Sequence, residues 1–307
     1  MAATTSAGPL GNLLAASGMV CVGSSVAVSQ TLIHAPLFTV QAIRYALAAI
    51  LLLVLCRVTG RPILRPRGKE WLWLLGVAIS GLVVFNIAVV NGDAHAEPAV
   101  IGIAVASVPL VLAIVGPLTS GSRPALAIVV AAVIVTAGAV LVQGAGRTDA
   151  AGLVWALVVL VTEAGFTLLA VPVLTRMGPW VVSLHTTWIA TIAFVILGVT
   201  VEGPGTVFTL PGKDFAIAGY LAVVVTALAF VLWYSAVGRI GAGRAGLFTG
   251  IVPIVAAAGG LLLGGPTPHA LVWVGVVVVL GGLCVGMARP DRAPAESTVE
   301  EPVPVRS

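Results

Sequence analysis

Three ionisable residues stand inside long apolar runs, and they are the first places to look for chemistry: Arg44, Glu163 and His185. Glu163 lies about eleven residues into its run, roughly 16 Å along a helix. A carboxylate so deep in an apolar environment is costly. It reads either as a proton-coupling group or the counter-charge of a bound amine, or as a hydrogen-bonded packing residue. Arg44 lies about eight residues, roughly 12 Å, from one end of its run. It holds a substrate carboxylate, or it serves structure by capping carbonyls or pairing within the bundle, which is the reading we favour. His185, in His185-Thr186-Thr187-Trp188, is either a group that titrates near neutrality or a satisfied hydrogen-bonding residue.

Uncharged polar residues mark the same runs. Ser24, Ser25, Ser29 and Gln30 form a stripe; Asn86, Asn91 and Ser107 follow; Thr162 and Thr167 flank Glu163. Such groups line a cavity or bond between helices. Trp233 and Tyr234 are either a stacking wall or part of an interfacial aromatic belt, where Trp71, Trp73 and Trp180 also fit. Pro109 and Pro253 each remove a helical hydrogen bond, as gating hinges or as static kinks.

The elements that position these residues follow from composition. Of 307 residues, 59% are hydrophobic and 8% charged. So few charges cannot cover a water-soluble surface, which excludes a soluble enzyme, a nucleic-acid binder, a secreted disulfide scaffold and a disordered protein. Cys21, Cys56 and Cys284 lie in apolar runs without metal-ligand or disulfide spacing, and read as small buried hydrophobes. Spanning a bilayer takes roughly 20 apolar residues. Ten stretches qualify: 10–29, 36–56, 71–91, 97–118, 124–143, 152–174, 179–200, 215–237, 242–264 and 269–288. They are too long and too evenly apolar for barrel strands. The expected fold is an all-α polytopic membrane protein.

With the N-terminus in the cytoplasm, twelve of the fifteen basic residues fall in cytoplasmic segments. Arg147 and Lys213 fall outside and Arg44 within the membrane. This asymmetry predicts cytoplasmic termini.

Sliding the chain by 144 residues lays 101–143 on 245–287 without a gap. Thirteen of the 43 positions are identical, against about four or five expected from such a composition. The matches include Pro109 with Pro253, Gly116 with Gly260, Pro124 with Pro268 and Gly138 with Gly282. Ten transmembrane helices thus divide into two five-helix repeats. Five is odd, so the repeats are inverted, a pattern of secondary transporters with a midplane site between the halves. The expected units are 1–143 (first repeat), 144–151 (linker), 152–288 (second repeat) and 289–307 (disordered cytoplasmic tail).

The motifs also resemble a known family. Gly23-Ser24-Ser25-Val26-Ala27, then Pro36 and Arg44-Tyr45-Ala46-Leu47-Ala48, resemble the opening of the ten-helix EamA-type family of the drug/metabolite transporter superfamily. Thr226 through Ala236 resembles its eighth helix, and Gly241 through Leu247, Pro253 and Gly281-Gly282 its ninth and tenth. The chain departs from the family at Cys21-Val22, where tryptophan is common, and at Ser120-Gly121 and Gly264-Gly265, where Gly-Glu is common. The resemblance implies export or exchange of small metabolites, often amino acids, across the plasma (inner) membrane. Nucleosides, sugars and cationic drugs stand as alternatives. An intramembrane lipid enzyme is disfavoured because the acids are scattered and no Gly-x-Ser-x-Gly elbow occurs. No cofactor or metal is expected, and no phosphate-loop motif for ATP is present. The implied partners are the lipid bilayer, a small-molecule substrate and protons as one coupling option.

Overall fold

The computed structural model describes residues 7–29, 35–119, 121–262 and 267–288. Gln30, the side chain of Ser29 and the tail after 288 lie outside the described residues. Helices α1 (Ala7–Ser29), α2 (Leu37–Val58), α3 (Glu70–His95), α4 (Pro98–Thr119) and α5 (Leu126–Gln143) form the first half. In the second, α6 (150–177) turns at 169–170, and α7 (179–202), α8 (212–240), α9 (242–262) and α10 (Ala270–Met287) follow. Each end lies within four residues of the span marked from the sequence. The outward faces carry the exposed apolar side chains that lipid requires, Leu72, Val154, Leu157 and Val161 among them.

Two connections are a single residue long. Gly178 (φ 72°) separates α6 from α7, and Gly241 (φ 76°) separates α8 from α9. Only glycine enters this left-handed region without strain, and Pro179 then supplies the fixed φ of a first helical turn.

The 144-residue register governs structure beyond the segment in which it is visible in sequence. A π-helical stretch interrupts α3 at Val77–Val84 and α8 at Leu221–Leu228, positions 144 apart. The break in α4 at Ser107 and the 3₁₀ turn Leu247–Gly250 in α9 each precede the matched prolines Pro109 and Pro253. Helices α5 and α10 pack at reciprocal contacts. A Cβ on Gly138 would sit 2.7 Å from Val279 N, and one on Gly282 would sit 2.9 Å from Val135 N. Because 135 and 138 map onto 279 and 282, the contact repeats across a pseudo-two-fold axis.

Both ends of the bundle are tied. At the acidic end, Arg147 Nε lies 2.7 Å from Glu97 Oε1, and His95 Nδ1 lies 3.1 Å from Asp149 Oδ2. Hydrogen bonding from Arg147 holds the Glu97 carboxyl below its ordinary range. Asp149 caps α6 by accepting from Gly152 N at 2.8 Å. At the arginine-rich end, Arg176 donates two hydrogen bonds to the Glu70 carboxylate and one to Arg65 O. This pins the 59–69 connector to the end of α6.

The structure decides between two readings left open by the sequence and changes two expectations. Trp233 and Tyr234 are buried between α6 and α8, not placed in an interfacial belt, because each spends its polar atom on α6. Of the cysteines, Cys56 alone is buried; Cys21 is half-buried and Cys284 exposed. Asn91 is exposed and bonds back to Ile87 O of its own helix.

Candidate functional site

A layer of polar side chains crosses the bundle interior, and α2 supplies its core. Gln41, Arg44 and Tyr45 occupy positions i, i+3 and i+4, which share one helix face. Arg44 Nε donates to Thr226 Oγ1 at 2.8 Å, and Arg44 Nη1 donates to Gln41 Oε1 at 3.3 Å. Gln41 Nε2 donates to Asn86 Oδ1 at 2.7 Å, and Asn86 Nδ2 donates to the Tyr45 hydroxyl at 3.2 Å and to Leu82 O at 2.6 Å. The Tyr45 ring stacks on Phe194 of α7, centroids 5.5 Å apart and planes 10° from parallel. The Arg44 guanidinium sits 5.1 Å from the centre of the same ring. No ion pair engages Arg44 among the described residues.

Glu163 stands at mid-length on α6. It lies roughly 20 Å from either end of that helix. Among the described residues no hydrogen bond or ion pair engages its carboxylate, and the Tyr45 and Tyr234 hydroxyls lie within its electrostatic reach. One turn further along α6, Thr167 Oγ1 accepts from Trp233 Nε1 at 3.0 Å, and Tyr234 donates to Phe166 O at 3.1 Å. Close packing of α3 on α6 sets this geometry, since a Cβ on Gly81 would meet the Phe166 Cα at 2.9 Å. Beyond Tyr234 a crevice of about 510 Å³ opens at the arginine-rich end, between Val171, Leu174 and Pro179 on one side and Val237 and Arg239 on the other.

The remaining candidates from the sequence lie around this layer. Ser24 bonds to Cys21 O and, at 2.6 Å, to the Tyr220 hydroxyl of α8. Ser25 and Ser107 bond back to Val22 O and Ile103 O of their own helices. Thr162 does the same to Val158 O and is buried. His185 sits at the arginine-rich end. Its Nδ1 accepts from Trp188 Nε1 at 2.9 Å, so Nε2 carries the proton and donates to Leu64 O at 3.0 Å. Both nitrogens are thus engaged, Nε2 with the 59–69 connector and Nδ1 within its own helix.

Four residues that the sequence alone did not single out matter here. Gln41, Tyr45 and Thr226 join the layer, and the spacing of Gln41 and Tyr45 about Arg44 was a usable signal. Glu202, at the end of α7, accepts from Phe38 N at 2.9 Å and from Thr39 N and Oγ1 at 2.8 and 2.6 Å. It caps α2 from another helix, a role that a charge beside a loop does not announce.

The family model of EamA-like transporters matches residues 9–143 and 150–287, one copy in each half. The chain belongs to this family of membrane transporters. Among curated relatives it is 27% identical over 306 residues to "Uncharacterized transporter YetK" of Bacillus subtilis (strain 168), covering 93% of this chain and 89% of the relative. A solved structure titled "Crystal structure of protein" superposes with a TM-score of 0.77 at 18% identity, covering 90% of this chain and 96% of the other. That likeness concerns the fold.

Proposed function

We propose that the protein is a secondary carrier, not an enzyme, and that it exports small amphipathic metabolites with amino acids as the leading class. Alternating access exchanges the conformations of two inverted halves, 1–143 and 152–288, joined by the 144–151 linker. Both termini are assigned to the cytoplasm on the arginine asymmetry, and the membrane to the plasma membrane on the family resemblance.

One observation carries this reading. Arg44 sits over the ring of Tyr45, Glu163 stands at mid-length on α6, and neither is spent on an ion pair among the described residues. A cation and an acid held apart in this way suit the carboxylate and ammonium of an amino acid, in a setting where unpaired charges are costly. Glu163 serves as the amine's counter-charge or as the proton-coupling carboxylate. Thr167, Trp233, Asn86 and Ser24 shape the cavity wall. Pro109 and Pro253, each beside an irregular turn, are assigned as hinges.

Counterflow of labelled amino acids in proteoliposomes, with and without a pH gradient, tests this. Saturable exchange of one group supports the carrier and names its substrate class. An absence of flux for every amino acid, in folded protein, overturns that class and moves the search to nucleosides, sugars and cationic drugs.

A further inference from the structure

The passage from α2 to α3 carries Arg57, Arg61, Arg65, Arg67 and Lys69, and all five are exposed. Among the described residues none of the five enters an ion pair. The acid beside them, Glu70, is taken by Arg176. The strip is therefore a block of positive charge with nothing on the protein to balance it. The backbone beneath it is fixed. His185 Nε2 donates to Leu64 O at 3.0 Å, Arg176 donates to Arg65 O at 3.1 Å, and Arg67 N donates to Glu70 Oε2 at 2.7 Å. Pro66 is buried. These ties use main-chain atoms of the connector and leave the Arg65 and Arg67 side chains to meet a partner. Arg61 is held differently, its guanidinium 4.6 Å from the centre of the Trp180 ring at the start of α7. A pre-arranged backbone reduces the ordering cost when long side chains gather around an anion.

The neighbours of the strip indicate the partner. Val58, next to Arg57, and Leu72, three residues beyond Lys69, are exposed apolar residues at the ends of spanning helices. Trp71 and Trp73, in the first turn of α3, are also exposed. Cations that border a lipid-facing surface with tryptophans at its rim stand at the level of phospholipid headgroups. The acidic tail 289–307 is a poorer match, since it holds three basic residues against four acidic ones. We propose that the 57–69 strip is a docking site for anionic phospholipid, whose phosphate groups bridge neighbouring arginines. The connector belongs to the first half, and its ties to Arg176 and His185 reach the second. Bound anionic lipid therefore steadies the junction between the halves at this end.

The test needs no substrate. The full chain in neutral detergent is titrated with phosphatidylglycerol or phosphatidylcholine, native mass spectrometry counts bound lipid, and thermal unfolding reads its effect. Phosphatidylglycerol should stay bound and raise the unfolding midpoint, phosphatidylcholine should do neither, and added salt should weaken the response. Arg57→Gln, Arg65→Gln, Arg67→Gln and Lys69→Gln together keep the main-chain ties and should weaken phosphatidylglycerol binding roughly a hundredfold. Arg65→Gln or Arg67→Gln alone, changes small enough to leave the fold in place, should each weaken it a few-fold. Arg289→Gln, Arg292→Gln and Arg306→Gln together should leave it unchanged. The proposal is wrong if the single and fourfold variants bind phosphatidylglycerol as wild type does, or if the tail variant loses binding as far as the fourfold one. Inorganic phosphate that raises the midpoint as much as phosphatidylglycerol would make this a free-anion site and overturn the lipid assignment. Binding seen only after removal of residues 289–307 would make the tail the occupant, and would overturn it too.

Discussion

Gly138 lies so close to Val279 that a Cβ on it would stand 2.7 Å from the valine's backbone nitrogen and 2.8 Å from Gly275 O. Its counterpart Gly282 meets Val135 in the same way. Backbone cannot retreat as a flexible side chain can, so α5 and α10 are locked to one spacing. Gly138→Val and Gly282→Val should each cost about 1–3 kcal/mol from overpacking alone. Gly281→Ala, where a Cβ meets nothing within 4 Å, should cost little. Thermal unfolding in detergent checks the contrast. Equal midpoints for Gly138→Val and Gly281→Ala would contradict the close contact.

Glu202 joins α7 to the start of α2, where Pro36 offers no side-chain cap. Replacing it with alanine strands two backbone N–H groups and removes a negative charge from a helix N-terminus. The expected loss is about 1 kcal/mol or somewhat more. Amide exchange at Phe38 and Thr39 should rise in Glu202→Ala, and unchanged protection would contradict the cap.

The pairing of Glu97 with Arg147 carries a pH signature. Arg147 lowers the folded-state pKa of Glu97 below its ordinary value. Stability from such a group is present above the unfolded pKa and is lost as the pH falls through the folded one. Arg147→Gln should therefore be less stable than wild type near neutrality by a small margin, since the pair is exposed. That margin should close as the pH falls through the carboxylate range. Unfolding midpoints of both proteins between neutral and acid pH decide it; a margin that stays constant or grows in acid would contradict the assignment.

The helices were legible because a bilayer demands length and apolarity that no soluble element shows, and the repeat was legible because matched Pro109 and Pro253 fix backbone. The π-helical stretches were not, since an added residue per turn leaves no mark in apolar sequence such as Val77–Val84. Arg44 and Glu163 stood out as charges inside apolar runs. Tyr45 and Gln41 did not, although their spacing from Arg44 puts them on its face. Trp233 was ambiguous because an aromatic near a span end suits a belt as well as a core, and only its hydrogen bond to Thr167 separates the two.

The central claim concerns Glu163, the acid at mid-length on α6, and pH-gradient-driven flux in proteoliposomes tests it most directly. A substrate found by counterflow is loaded, a gradient is imposed, and wild type is compared with Glu163→Gln. The account predicts that the substitution abolishes the gradient-driven component in protein that remains folded. Gradient-driven flux equal to wild type in Glu163→Gln would contradict it.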